Sequence, residues 1–340
     1  MMQGCGREII SFLIVLFWIT SPTFGEDSQK DSWQEYQAAT LSSWSQRHDV
    51  QTQDWNRYRN ELAEKWGLET KLPEKKIYTE YFGNNQLRVR IDFENGKLLI
   101  ESLSPATSLG VSQALPRAQT QAIIQKMIKK GVIDLKELPA TLNWNTQSDV
   151  ITGGDGEKRT RQTYQMNLAP LHRLVRVARY WPLVQKWAKY YDVDPAFILA
   201  VIERESAFNP RARSWVPAFG LMQIVPRYAG REVLHKTPSE EYLYDPDHNI
   251  QVGTAYLKLL NEQHFDDVQA GDMKRYLVTC SYNWGPHRIK KAIQRGRLDL
   301  NQAPEPVFQN LLEVVPPETR GYLRGVRSSY DRFKKEILTL

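Results

Sequence analysis

Between Gln86 and Leu103 apolar and polar positions alternate. Val89, Ile91 and Phe93 interleave with Arg88, Arg90, Asp92 and Glu94, and a second run, Lys97–Leu103, follows Asn95-Gly96. Period-two spacing is that of a half-buried strand, and Asn-Gly supplies two residues tolerant of positive φ, so an antiparallel hairpin is predicted. The period then lengthens. Arg117–Lys130 carries Ile123, Ile124, Met127 and Ile128 on one helical face. Thr152–Glu157 is glycine-rich and reads as a loop, and Tyr164–Leu168 as a short extended stretch. Leu174, Val175, Ala178, Leu183, Val184, Trp187 and Tyr191 predict one or two helices, interrupted near Pro182. Asp194-Pro195 then has the form of a helix start, an N-cap acid followed by proline in the first turn.

On this last helix Phe197, Ile198, Val201 and Ile202 form an apolar face, and Glu205 falls on it, just before Asn209-Pro210 ends the segment. Glu203 points about 200° away around the helix and is expected in solvent, so the two carboxylates do not share a site. A carboxylate on an apolar face has two explanations. It is a structural group satisfied by hydrogen bonds, or a general acid whose pKa burial raises toward ~6.

Composition narrows the setting. Arg7, the apolar run Ile9–Ile19 and the small residues Thr23 and Gly25 have the form of a secretory signal cleaved after Gly25. The run is shorter than the ~20 residues a membrane-spanning helix needs. The only cysteine near it, Cys5, precedes it, so no lipid anchor is expected. Residues 26 to about 70 are polar with scattered aromatics that read as packing anchors, and the remaining length suits about two domains. Past the signal only Cys280 remains, which excludes an intramolecular disulfide. The net charge of +6 comes from basic residues mixed with acidic ones, the pattern of a solvated surface, and export argues against nucleic acid as a partner. The six histidines lack HExxH or paired Cys/His spacing, and no GxSxG or phosphate-loop motif occurs, so neither metal nor cofactor is expected.

Several short motifs decide between the two readings of Glu205. Glu205-Ser206-Ala-Phe-Asn209-Pro210 is followed by Gly220-Leu-Met222-Gln223, then Asn249 to Leu257, then Ser281-Tyr282-Asn283-Trp-Gly285, and Glu318-Thr-Arg320-Gly-Tyr322 closes the series. In this order and spacing, residues 170 to 335 resemble the soluble lytic transglycosylase domain, and the Ile91–Lys97 hairpin upstream resembles the N-terminal domain of membrane-bound lytic transglycosylase C. The resemblance implies an α+β protein. A signal at 1–25 and an α+β N-terminal domain at 26–168 would precede a mainly helical, lysozyme-like catalytic domain at 169–340.

It further implies cleavage of peptidoglycan glycan strands in the periplasm, with Glu205 first protonating the glycosidic oxygen and then taking the proton of the muramic acid C6 hydroxyl. Ser206 would position Glu205. Met222, Gln223, Tyr282 and Asn283 would line the glycan cleft, and Tyr322 would lie near the glutamate. Ser281 stands where the family usually has alanine, and Pro217 where many members have glycine. One point is independent of the resemblance. No Asp or Glu lies between Glu205 and Glu232, whereas ordinary glycosidases need two carboxylates at the bond. Two alternatives remain open: a lysozyme-type hydrolase and a non-catalytic wall-binding protein. For the N-terminal domain, glycan binding, docking to a cell-wall or outer-membrane partner and a structural role all fit.

Overall fold

The alternating segment around Asn95-Gly96 forms two strands of a five-stranded sheet in the computed structural model, which describes residues 56–106, 115, 117–214, 217–269 and 271–337. The proposed signal segment lies outside the described residues. The strands are β1 (Ile77–Phe82), β2 (Leu87–Asp92), β3 (Lys97–Pro105), β4 (Asn145–Thr152) and β5 (Lys158–Asn167), in the spatial order β1-β2-β3-β5-β4. Every neighbouring pair is antiparallel. Register stacks Ile91, Leu98 and Met166 in one cross-strand row and Val89, Ile100 and Tyr164 in the next. This apolar face packs on α1 (Arg117–Lys129) through Ile123, Ile124 and Met127.

The hairpin is where the alternation places it, but its turn differs from the expected Asn-Gly type. Asp92 pairs with Lys97, which leaves Phe93, Glu94, Asn95 and Gly96 in the turn, and of these only Gly96 has positive φ, 61°. The Asp92 carboxylate organises the turn by accepting the backbone N–H groups of Glu94 and Asn95 at 3.1 and 2.9 Å. A run of positive φ occurs instead one connection earlier, at Gly83, Asn84 and Asn85 between β1 and β2. On the other face of the sheet Arg88 and Glu101, cross-strand partners, form a buried pair with bonds of 2.6 and 2.8 Å, and the guanidinium lies 4.0 Å from the Trp66 ring centroid.

The remaining chain is helical: α2 (His172–Tyr191), α3 (Pro195–Ser206), α4 (Arg231–Leu234), α5 (Glu240–Tyr244), α6 (Pro246–Leu259), α7 (Asp272–Trp284), α8 (Pro286–Gln294), α9 (Pro304–Val314) and α10 (Pro317–Glu336). Helix α2 runs through Pro182 without the expected interruption. Proline forfeits one backbone bond, but Tyr180, Val184 and Trp187 on either side are buried in the main apolar cluster and hold the helix together. Helix α3 is the centre of that cluster. Asp194 caps it by accepting the Ala196 N–H at 2.8 Å, Pro195 occupies the first turn, and every residue from Ala196 to Ile202 is buried.

One side chain ties these parts together around the end of α3. Arg176 of α2 donates to the carbonyls of Ala207, just past α3, and of Phe93 in the β2–β3 turn, both at 3.1 Å. It also pairs with buried Glu137 at 3.1 Å. Sheet and helices therefore belong to one unit, Leu62–Leu340.

Candidate active site

Glu205 occupies the last turn of α3, 4% exposed. Behind it the chain turns sharply: Ala207 and Phe208 both take left-handed backbone angles, φ 50° and 62°, unusual for residues with a Cβ. The turn is held by the Arg176 bond to Ala207 and by stacking of Phe208 on Tyr180, with ring centroids 6.4 Å apart.

The Gly220–Gln223 motif lies beside it in a tight hairpin closed by the Phe219–Ile224 bridge. Two side chains clamp this hairpin from below. Ser206 Oγ donates to the Leu221 carbonyl at 2.7 Å, and Asn249 accepts the Met222 N–H at 2.8 Å while its amide donates to the Phe219 and Leu243 carbonyls at 2.8 and 2.7 Å. A Cβ on Gly220, whose φ is 74°, would lie 2.3 Å from Asn249 Nδ2, so the clamp requires glycine there. The Met222 side chain fills the space left by Gly253. Tyr282 of α7 then donates to the Met222 carbonyl at 2.8 Å. Asn283 accepts from Thr319 Oγ1 at 2.7 Å, which fixes the end of α7 to the start of α10, the helix carrying Tyr322.

Glu205, Tyr282 and Tyr322 come together in this way. Burial pushes the Glu205 carboxyl above its ordinary value of 4.5, Lys75 and the Tyr322 hydroxyl pull it back, and Glu318 adds a weak upward push. Burial and the Glu205 charge push both tyrosine hydroxyls well above 10. The Tyr322 hydroxyl leans toward Glu205 without closing a hydrogen bond of standard geometry. Ser206 and Met222 are fully buried, so both act on the site through the hairpin they hold. Gln223 donates to the Gly220 carbonyl at 3.1 Å, and its Oε1 is buried without a partner.

Two features escape the sequence. Lys75, on the segment entering β1, places Nζ 3.4 Å from Glu205 Oε2. Nothing in Pro73-Glu74-Lys75-Lys76 marks that lysine, since its target lies far along the chain. Glu203 is not in solvent as expected: it meets Arg173 at 3.4 Å, Ser329 at 2.6 Å and Arg332. The acid facing away from the cleft thus joins α3 to α2 and α10. Cys280 is buried with its thiol pushed up to about 12, which makes it a poor nucleophile. Among the described residues no group of three or more His, Cys, Asp or Glu side chains could hold a metal ion, and no helix is long and apolar enough to cross a membrane.

Comparison with known proteins matches two separate stretches of the chain. The family described as Transglycosylase SLT domain matches residues 182–301, and that described as Membrane-bound lytic murein transglycosylase C, N-terminal domain, matches residues 47–130. Membrane-bound lytic murein transglycosylase C of Yersinia enterocolitica serotype O:8 is 31% identical over 307 residues, covering 79% of this chain and 86% of that protein. The protein of the same name from Actinobacillus pleuropneumoniae serotype 5b is 28% identical over 328 residues, covering 84% and 90%. Among solved structures, the 70 kDa soluble lytic transglycosylase of Escherichia coli is 30% identical with a TM-score of 0.38, over 47% of this chain and 24% of that one.

Proposed function

The chain belongs to the membrane-bound lytic murein transglycosylase C family, and from that premise we propose that Glu205 is both the acid and the base of its reaction. The protein is a lytic transglycosylase acting on peptidoglycan. The observation that carries the assignment of Glu205 is a buried carboxyl, raised in pKa, at the junction of α3, the Gly220–Gln223 hairpin and α10.

In the first step the Glu205 proton passes to the oxygen joining N-acetylmuramic acid C1 to N-acetylglucosamine C4. The C1–O bond breaks with its electron pair going to that oxygen, which leaves as the hydroxyl of N-acetylglucosamine. In the second step the muramic acid C6 oxygen bonds to C1 and its proton goes to the Glu205 carboxylate. The carboxyl is restored, and no water is consumed. An intramolecular hydroxyl has a high effective concentration, which lessens the need for a second carboxylate to activate water. The neighbourhood agrees with this economy. Glu203 is committed to Arg173, Ser329 and Arg332, and Glu318 is exposed on α10.

The remaining roles are part of the same proposal. Tyr322 favours the carboxylate form of Glu205. Tyr282 and Asn283 set the cleft wall through Met222 and Thr319. Gln223, whose Oε1 is buried without a partner, belongs to the same wall. Ser206 and Met222 support the wall from behind. The functional division falls near 168/169, with the helical part catalytic, and the enzyme works in the periplasm, a location supported by the signal-like residues 1–25.

Mass spectrometry of products from purified peptidoglycan tests the proposal. The wild-type chain should release muropeptides ending in 1,6-anhydro-muramic acid. Glu205→Gln should lower their rate by at least the ~10²–10⁴-fold typical of general acid–base catalysis. Reducing-end products would replace the intramolecular step with hydrolysis. Undiminished turnover by Glu205→Gln would remove Glu205 from the mechanism.

A further inference from the structure

A buried general acid faces conflicting demands. Burial keeps it protonated, but an acid held too firmly to its proton protonates the leaving oxygen poorly, and its carboxylate is costly to form in the same apolar surroundings. The groups facing Glu205 can be named from each element packed on it. Tyr322 and Glu318 come from α10, Tyr282 from α7, and Lys75 from the segment entering β1. Its neighbour on α3, Ser206, is turned away to the Leu221 carbonyl. Of these four facing groups Lys75 alone is a cation.

Lys75 is held in place by more than attraction to Glu205. Its backbone carbonyl accepts from Asn209 Nδ2 at 3.3 Å, and Asn209, fully buried just past α3, steadies its own amide by accepting the Arg211 N–H at 3.0 Å. On the far side of Lys75 the backbone N–H of Glu74 donates to the Ile77 carbonyl at 3.0 Å and leads into β1. The asparagine of the Glu205–Pro210 motif thus anchors the lysine-bearing segment to the end of the helix that carries the glutamate. The lysine side chain is 40% exposed and that of the glutamate 5%, so the pair sits at the mouth of the site with its anionic end inside.

From this geometry we infer that Lys75 is a positioning residue for the transglycosylase reaction, a cation supplied by the sheet segment that keeps Glu205 able to release its proton and to exist as the carboxylate between the two steps. Lys75 itself transfers no proton. It favours the anion left on Glu205 when the glycosidic oxygen takes the proton, and that anion is the base that accepts the C6 hydroxyl proton. The sheet portion thereby has a direct effect on the chemistry, through one residue anchored by Asn209.

The inference rests on Glu205 being the acid, and the test separates the two. On the full chain, kcat/KM for soluble glycan strands is followed against pH for wild type, Lys75→Met and Lys75→Arg, since this ratio reports the free enzyme. Loss of the cation should move the alkaline limb up by about one pH unit, the low end of the effect of an adjacent opposite charge, and should lower the plateau rate. Lys75→Arg should keep the limb close to wild type. Titration of the ¹³C-labelled Glu205 carboxyl by NMR, in wild type and Lys75→Met, reads the same shift without relying on turnover. A loss of rate at every pH with the limb and the carboxyl titration unmoved would reduce Lys75 to a structural contact and overturn the inference. Retained activity in Glu205→Gln would instead sink the underlying assignment, whatever Lys75→Met does.

Discussion

Burial and charge act on Glu205 in opposite directions, and Tyr322 works on the side of charge, with its hydroxyl favouring the carboxylate from within the cluster. Tyr322→Phe keeps the buried ring and removes that hydroxyl. A hydrogen bond to a charged group is worth about 1.5–3 kcal/mol, so if the bond closes fully only as charge develops, the variant should lose roughly 10- to 100-fold in kcat with KM little changed. An equal loss in kcat/KM arising wholly from KM would mean that Tyr322 binds glycan and does not serve Glu205. Glu318 gives the complementary case. Its effect on Glu205 is the weakest of the named causes and opposes ionisation, so Glu318→Gln should change the rate by less than about 3-fold, far below the ~10²-fold floor for a catalytic acid or base. Its products should still end in the anhydro sugar. A large loss together with a change of product would identify Glu318 as the second carboxylate of a hydrolase.

At the scale of elements, the turn before β3 leaves little room for variation at Gly96. Gly96 has a φ of 61°, and a Cβ there would lie 2.4 Å from His172 Nε2 at the start of α2. Gly96→Ala should therefore cost more than the ~1 kcal/mol of a left-handed alanine alone. A urea midpoint lowered by an equivalent of about 2 kcal/mol or more is expected, and an unchanged midpoint would show that His172 swings aside without cost. What could be inferred from sequence follows the same physics. The β2–β3 hairpin and α1 were legible because each buries one face of a regular period, α3 because Asp194-Pro195 marks its start ahead of an apolar run, and Glu205 because it is a charge in line with those apolar positions. Strand β4, Asn-Thr-Gln-Ser-Asp-Val-Ile-Thr, was not legible. It lies at the sheet edge with only Ile151 buried, so it has no apolar alternation to show. The Asp92-organised turn was hidden because Asn95-Gly96 is compatible with more than one turn, and only the pairing of Asp92 with Lys97 decides which forms. Lys75 and the partners of Glu203 were invisible for a further reason. A charge carries no periodic mark of the distant residue it will meet.

Across the whole molecule the same conflict between burial and charge should appear in how stability depends on pH. His172 is pushed down to about 4, first by burial and then by Arg176 and Arg173. The unfolded chain protonates this residue near its ordinary 6.5, so as pH falls from 6.5 toward 4 the unfolded state binds the extra proton and stability is lost. Glu205 and Glu137 act in the opposite sense. Burial raises both, so as pH climbs above their ordinary 4.5 the unfolded state ionises first and stability is lost in that direction. Over the weakly acidic range the two tendencies oppose each other. Single substitutions expose the components. Glu205→Gln removes one carboxyl that resists ionisation, so above about pH 4.5 its stability should rise with pH relative to wild type. His172→Gln removes one group that acts the other way, so its stability should fall with pH relative to wild type between about pH 4 and 6.5. Urea midpoints measured at half-unit steps of pH give both slopes, and only slopes matter, because a constant offset reports packing. If Glu205→Gln parallels wild type throughout, the site carboxyl ionises in the folded protein as readily as in water. Burial would then not be what readies it to act as an acid.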